Sequence, residues 1–225
     1  MNLELINLTI EQEQTNFNFG LDNSVTVPLT VYATSFDGTP VANYPITVTS
    51  PDDSRVSTVT GSTNSNGVFT YDFTFLISTA TGVPTPFGLR RLVVNGYKNF
   101  VFNLYRDTGW FNALTYTGIF SDKTDYDVMM RVKNDIVQIS GSFTNSSAFT
   151  TNSNGTGTKI GTLKYTKFAP NRLGILTTQN IHNYKYMMEI TTAGECYMSK
   201  AGWGNATNTS IPKDSWIGFV TTYMI

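Results

Sequence analysis

Side chains that could do covalent or acid–base chemistry are few in this sequence. Its 225 residues include one histidine, His182, and one cysteine, Cys196. A serine or cysteine nucleophile needs a neighbouring general base, and no G-x-S-x-G elbow accompanies the histidine. We therefore interpret His182 as a polar loop or strand residue rather than a catalytic base.

Pairs of carboxylates could hydrolyse a glycosidic bond, which would let a protein degrade a surface sugar. Asp125 and Asp127 are expected on one strand face, and Glu189 and Glu195 flank a predicted hairpin. With 16 acidic residues in the chain, such pairs also arise as solvated turn and strand-edge residues. The second interpretation is preferred, so the sequence predicts no catalytic residues.

Metal ligands at recognisable spacing do not occur in the sequence. There is no H-E-x-x-H, no C-x-x-C and no D-x-[DN]-x-[DN]-G loop. Asp52 and Asp53 follow Pro51 and are interpreted as turn residues. We therefore expect neither a dedicated metal site nor a cofactor.

Aromatic and amide side chains on loops could instead bind a ligand. Sugar rings stack on indole or phenol planes, while amides bond their hydroxyls. Trp203 lies between two glycines that disfavour a regular strand, so its indole is either exposed for contact or folded back onto the core. Tyr184 and Tyr186 share a strand face, where core or subunit contacts are the usual role. The predicted ligand-binding residues are Trp203, Asn205, Tyr184 and Asn183.

Composition excludes several other classes of function. Charged residues make up 14% of the chain and its formal net charge is -1. The basic residues are scattered, which argues against a nucleic-acid partner. The single cysteine precludes an intramolecular disulfide. The N-terminus lacks the pattern of a signal peptide and no apolar run is long enough for a membrane span, so neither secretion by a signal nor membrane insertion is expected.

Alternation of apolar and polar residues predicts β-strands along the whole chain. It is clearest in residues 25–33, 44–48, 69–75 and 100–104. A hairpin is predicted from Tyr126 to Phe143, with its turn at residues 133–135, and a second around residues 192–195. Short strands separated by turn clusters predict an all-β protein built as antiparallel sandwiches.

Residues 37–48 and 61–69 carry a family resemblance. The run DGTPVANYPITV, followed by GSTNSNGVF, resembles the bacterial immunoglobulin-like repeats of invasin and intimin type. The resemblance covers most of residues 1–106 and implies an immunoglobulin-like β-sandwich that serves as a spacer domain.

Residues 107–225 resemble the C-terminal head domains of phage and virus tail-fibre or receptor-binding proteins. The matching pieces are Trp110, Arg131 to Gly141, Thr158 to Pro170, Ile190 to Glu195, and Trp216 to Tyr223. This resemblance implies a second antiparallel β-sandwich, of jelly-roll-like form, that acts as a receptor-binding head.

The last strand carries apolar residues on both faces. Trp216 alternates with Gly218 and Val220 on one face, while Ile217 and Phe219 take the other. Both faces need cover, from the domain's own layers or from neighbouring subunits, so Trp216 is interpreted as structural. Together with the resemblance, this pattern predicts a homotrimer.

The resemblances imply a non-enzymatic viral tail-fibre protein that attaches the virion to a host cell-surface glycan or protein, with a glycan preferred. Its location would be the virion, where it acts extracellularly beside other tail proteins. The alternatives are a cellular adhesin or surface-layer fragment with an invasin-like stalk, and a surface-glycan depolymerase. Sequons for N-glycosylation, at a frequency close to chance, begin at Asn7, Asn145, Asn154, Asn205 and Asn208.

Overall fold

The computed structural model describes residues 6–11, 13–78, 83–151, 157–171, 178–181, 184–200 and 209–225. The chain divides into two compact units, unit 1 (Met1–Arg106) and unit 2 (Asp107–Ile225). Within the described residues the regular elements are strands, apart from one 3-10 turn at Thr166–Phe168. No helix in this part of the chain is long and apolar enough to cross a membrane. The predicted all-β fold class is confirmed.

Unit 1 is built from strands that alternate between buried and exposed residues. They are β1 (Asn7–Ile10), β2 (Asn16–Asn18), β3 (Ser24–Thr34), β4 (Pro45–Thr49), β5 (Val59–Ser62), β6 (Val68–Leu76), β7 (Gly88–Val94) and β8 (Lys98–Tyr105). The four segments that alternate most clearly in the sequence correspond to β3, β4, β6 and β8.

Two sheets of unit 1 enclose one hydrophobic core, as in an immunoglobulin-like sandwich. One sheet has the order β1-β3-β6 and the other the order β2-β8-β7-β4-β5. The pairs are antiparallel except for β2 with β8, which is parallel. The core is rich in aromatic rings, including Phe73, Phe75, Phe100 and Phe102. Because the chain has no intramolecular disulfide, burial of these rings supplies the main stabilisation.

Gly67 closes the turn that carries the invasin-like motif. Its φ of 71° lies in the left-handed region, and a Cβ there would lie 2.6 Å from the carbonyl oxygen of Ala33. The Gly67 carbonyl also accepts a hydrogen bond from the Ala33 N–H at 2.8 Å. Only glycine adopts a left-handed φ without strain and has no Cβ to overlap the Ala33 carbonyl, which explains its place in the motif.

Unit 2 contains shorter strands separated by longer loops. Its described residues form β9 (Phe111–Asn112), β10 (Leu114–Tyr116), β11 (Phe120–Asp122), β12 (Met129–Lys133), β13 (Ile136–Ser140), β14 (Ser142–Asn145), β15 (Phe149–Thr151), β16 (Thr158–Leu163), β17 (Thr178–Ile181), β18 (Tyr184–Ile190), β19 (Glu195–Lys200), β20 (Thr209–Ile211), β21 (Ile217–Gly218) and β22 (Thr221–Met224).

The strand pairs of unit 2 are antiparallel and form sheets of two to five strands. Their orders are β10-β16-β19-β18-β17, β11-β14-β21, β22-β13-β12-β9 and β15-β20. The predicted hairpin is confirmed as β12 and β13, whose turn includes Asn134 at a φ of 50°. The second hairpin is confirmed as β18 and β19. Val128, Met130, Val137 and Ile139 are buried, as their alternation predicts.

Candidate functional site

Three of the predicted ligand-binding residues, Asn183, Trp203 and Asn205, lie outside the described residues, as does His182. The fourth, Tyr184, begins β18 and pairs with Ile181 of β17. Their role in binding stays a prediction from the sequence. The described part of unit 2 presents a different candidate.

Two aromatic rings, Tyr126 and Trp216, lie against each other on the surface of unit 2. Their ring centroids are 4.6 Å apart and their planes are inclined at 46°. Tyr126 is 53% exposed and Trp216 is 46% exposed, so each ring keeps about half of its area in contact with solvent. We call these two residues the aromatic pair. Exposed aromatic area that is held in place is typical of ligand-contact surfaces.

Tyr126 is positioned by a tight turn and by the start of β14. Its N–H donates to the carbonyl of Lys123 at 2.9 Å, and Asp125 within the turn has a φ of 67°. The Tyr126 carbonyl accepts a hydrogen bond from the N–H of Ser142 at 2.7 Å. Gly141 permits this approach, because a Cβ on it would overlap the carbonyl oxygen of Asp127. The backbone of Tyr126 is therefore fixed on both sides of the residue.

Trp216 is held by the burial of its two neighbours. Ser215 is buried and its N–H donates to the side-chain oxygen of Asn145 at 3.0 Å. Ile217 is also buried and pairs with Phe143 of β14. Because side chains alternate along an extended segment, Trp216 must point to the opposite face, toward solvent.

Asn145 holds the segment that leads into Trp216. It is fully buried, and its side-chain amide donates to the carbonyls of Ser147 at 2.8 Å and Pro212 at 2.7 Å. Its backbone carbonyl accepts from the N–H of Asp214 at 2.8 Å. With the bond from Ser215, these contacts join β14 to a segment almost 70 residues further along the chain. Burial also closes the sequon at Asn145 to glycosylation in the folded protein.

Neither the aromatic pair nor the role of Asn145 was found from the sequence. The alternation predicted for residues 216–220 is confirmed, since Ile217 and Phe219 are buried, but the structural role inferred for Trp216 does not account for its exposure. The signal available for Asn145 was its position. It alternates with Phe143 on a face that is otherwise apolar, where a polar side chain must be hydrogen-bonded.

Of the two carboxylate pairs, Glu189 and Glu195 flank the hairpin of β18 and β19 as predicted, whereas the prediction for Asp125 and Asp127 is wrong. Asp125 and Asp127 do not share a strand face, because Asp125 lies in a turn with positive φ before β12 begins. Glu195 accepts a hydrogen bond from Lys159 at 2.6 Å and another from the Tyr197 hydroxyl at 3.0 Å. These bonds lower the pKa of Glu195, which favours an ionised carboxylate rather than a proton donor.

The other chemically reactive groups are similarly constrained. Cys196 is fully buried, and burial raises the pKa of its thiol to about 12, so little thiolate exists at neutral pH. The described residues contain no group of three or more His, Cys, Asp or Glu side chains that could hold a metal ion. What this surface offers is two ring faces, and the segment that leads into Trp216 carries an exposed ion pair, Lys213 to Asp214 at 3.9 Å.

Fold and surface together define an all-β protein of two units with an exposed aromatic pair on the second. No family model matches the chain. No curated protein matches it either. One similar solved structure is a C-terminal 282-residue fragment of intimin in complex with the intimin-binding domain of the translocated intimin receptor. The chains are 12% identical, the match covers 96% of this chain and 100% of that one, and the TM-score is 0.32. That TM-score is too low to support a conclusion about this chain.

Proposed function

We propose that this chain is a non-enzymatic attachment protein whose second unit binds a cell-surface ligand, with a glycan as the preferred class. The observation that carries the proposal is the aromatic pair, two half-exposed rings on backbone segments that are fixed by hydrogen bonds. A surface of this kind binds without chemistry, because it supplies ring faces and hydrogen-bonding groups but no activated nucleophile.

The surroundings of the aromatic pair favour a neutral ligand rich in hydroxyl groups. Lys213 and Asp214, which precede Trp216 by a few residues, form an exposed ion pair whose charges offset each other. Asp125, next to Tyr126, is also exposed. Carboxylate and ammonium groups bond sugar hydroxyls, while the apolar C–H face of a sugar covers an aromatic ring.

The test is binding of the purified full chain to a panel of whole cells and to their isolated surface glycans. Replacing Trp216 by alanine removes half of the aromatic pair, so we expect binding to isolated glycan to fall about tenfold, or by about 1.4 kcal/mol. Trp110→Ala is the matched control, since Trp110 is an exposed tryptophan of the same unit. Equal binding by both variants, or turnover of the glycan by the wild-type chain, would contradict the proposal.

We further propose that the protein is a homotrimer, which would combine several weak sites into firm attachment. Ile136 and Met224 pair across β13 and β22 and are both exposed, as is Val220. Apolar side chains on a strand face gain stability when a neighbouring subunit covers them. Light scattering should give a mass of three chains, and a mass of one chain would contradict the trimer.

The resemblance of residues 107–225 to tail-fibre heads supports a place on a virion, where the protein would act outside the cell beside other tail proteins. A cellular adhesin is the second candidate, and the invasin-like turn that ends at Gly67 favours it. Neighbouring genes distinguish the two. A virion protein is expected beside tail genes, whereas an adhesin gene is expected to encode further repeats, a signal peptide and an anchor.

A further inference from the structure

Unit 1 has a group of loops at the end opposite the point where the chain leaves it. β8 begins after the turn at 95–97 and runs toward Arg106, which donates to the carbonyl of Asp22, just before β3, at 2.8 Å. β3 then runs away from Arg106, so the residues that follow Thr34 lie at the far end. We call residues 35–45, 62–67 and 95–97 the loop end.

Phe36 stands at the tip of the first of these loops and is 92% exposed. The turn beneath it is closed by hydrogen bonds from the N–H of Ser35 to the Thr39 carbonyl at 2.9 Å and from the N–H of Gly38 to the Ser35 carbonyl at 3.0 Å. The Asp37 carboxylate accepts from the Thr39 N–H at 3.0 Å and from the Ser35 hydroxyl. A large apolar ring is thus kept in water on a well-supported turn, at a cost of about 2 kcal/mol relative to burial.

The other loops are joined to one another by side-chain hydrogen bonds. Asn95 accepts from the N–H of Thr47 at 2.7 Å and donates to the carbonyl of Pro45 at 3.0 Å. Thr63 accepts from the N–H of Tyr44 at 2.9 Å and donates to the carbonyl of Val41 at 2.6 Å. These bonds connect the loops across the sheet.

Two further aromatic side chains belong to the same end. Tyr97 is 55% exposed, and Tyr44 is partly buried against the core of unit 1. A single exposed aromatic residue is common on protein surfaces. Two of them, Phe36 and Tyr97, lie here on loops already ordered by hydrogen bonds, so binding there loses little conformational entropy.

We propose that the loop end is a second binding surface, and that it takes a folded protein whose apolar pocket receives the Phe36 ring. A protruding side chain fits a pocket, in contrast to the aromatic pair of unit 2, whose ring faces suit a flat sugar. The Asp37 carboxylate beside Phe36 opposes insertion into a lipid bilayer and favours a pocket with hydrogen-bond donors or basic residues at its rim. In this scheme unit 1 is a binding domain as well as a spacer.

The test compares the full-length wild-type chain with Phe36→Ser on whole cells, before and after a protease has removed the cells' surface proteins. We expect Phe36→Ser to lower binding to untreated cells about tenfold or more, as for an anchor residue at an interface. After protease treatment the two proteins should bind equally. Leu89→Ser is the matched control, because Leu89 is 71% exposed on β7 of the same unit, away from the loop end.

Two results would overturn the proposal. One is equal binding of wild type and Phe36→Ser to untreated cells. The other is a loss that persists on protease-treated cells and recurs on phosphatidylcholine vesicles, which would identify a lipid partner instead. Binding to isolated glycan separates this inference from the proposed function, since Phe36→Ser should leave it unchanged while Trp216→Ala reduces it.

Discussion

The two candidate surfaces present exposed aromatic rings, but they are built in opposite ways. The turn that carries Phe36 is closed by hydrogen bonds between residues no more than four positions apart. Trp216 depends on Asn145, whose bonds reach Pro212 and Ser215, 67 and 70 positions away. A local turn forms wherever its own residues are present, whereas the site in unit 2 exists only when distant strands have already come together.

This difference predicts how far substitutions at each surface affect the stability of the protein. Substitutions in the Phe36 turn should alter the turn and little else, since the buried sandwich below it does not depend on the turn. Substitutions at the residues that support the aromatic pair should destabilise unit 2 as a whole. All three tryptophans, Trp110, Trp203 and Trp216, belong to unit 2, so tryptophan fluorescence follows the unfolding of that unit alone.

The largest effect is expected for Asn145→Ala. The substitution leaves the carbonyl of Ser147 and the N–H of Ser215 without their side-chain partner, and it removes one of two donors to the carbonyl of Pro212, which keeps the Ser215 hydroxyl at 2.7 Å. Ser215 is buried, so its N–H without a partner costs about 1 to 3 kcal/mol, and the bonds lost at the exposed residues Ser147 and Pro212 add about 1 kcal/mol each, so we expect the free energy of unfolding of unit 2 to fall by roughly 3 kcal/mol. Urea denaturation followed by tryptophan fluorescence measures this change.

Asp37→Ala is the control for the local turn. It removes the carboxylate that accepts from Ser35 and Thr39, yet it should leave the fluorescence-detected transition of unit 2 unchanged. If Asn145→Ala unfolds with the wild-type midpoint, the inference that the aromatic pair depends on distant contacts is wrong.

A smaller effect is expected for Gly141→Ala. Gly141 has a φ of 147°, and an added Cβ would overlap the backbone of Asp127 and Val128. We expect a loss of about 2 kcal/mol in the stability of unit 2, because strained backbone of this kind costs about 1 to 3 kcal/mol. The loss should be accompanied by weaker binding of glycan, since Tyr126 lies on the displaced segment.

Gly118→Ala is the control that measures the loss of stability caused by a positive φ when the added Cβ overlaps no other atom. Gly118 has a φ of 64°, but nothing lies within 4 Å of the position its Cβ would take. A left-handed alanine costs about 1 kcal/mol, so this variant should lose less stability than Gly141→Ala and keep wild-type binding of glycan. Equal losses in both variants would mean that close packing at Gly141 is not what positions Tyr126.

Local patterns in the sequence predicted the strands and turns well. Alternation identified β3, β6 and β8, and alternation with turn composition predicted the hairpin of β12 and β13 and the turn between β18 and β19. These features depend on residues close in sequence, which is why a single sequence contains them. The turn at Gly67 was predicted for the same reason.

The aromatic pair could not be predicted in this way. Alternation indicates which residues share a face with Trp216, but the packing of other strands decides whether that face is covered. Asn145 looked like a chance sequon because its partners are far away in sequence. The predicted site at Asn183, Tyr184, Trp203 and Asn205 rests on residue type and local spacing, and it stays a prediction.

The smallest effect concerns two carboxylates, Asp37 and Asp107. The hydrogen-bond partners of Asp37 are close in sequence, whereas a main partner of Asp107 is distant. Hydrogen bonds from Ser35 and Thr39 lower the pKa of Asp37 to about 2. A hydrogen bond from Arg131, 24 residues away, lowers the pKa of Asp107 to about 2 as well. Because both values lie below the ordinary 3.8, each group stabilises the fold above about pH 4 and loses that contribution as the pH falls toward 2.

Arg131→Gln should raise the pKa of Asp107 toward 3.8 and leave that of Asp37 at about 2, as measured by carboxyl NMR titration. The rise should be incomplete, because the Gly109 N–H still donates to Asp107 at 3.0 Å and Lys133 lies 3.9 Å away. Ser35→Ala should raise the pKa of Asp37 and leave that of Asp107 at about 2. If Arg131→Gln left the pKa of Asp107 unchanged, the low pKa of Asp107 would come from the neighbouring backbone. The interactions of Asp107 would then be as local in sequence as those of the Phe36 turn.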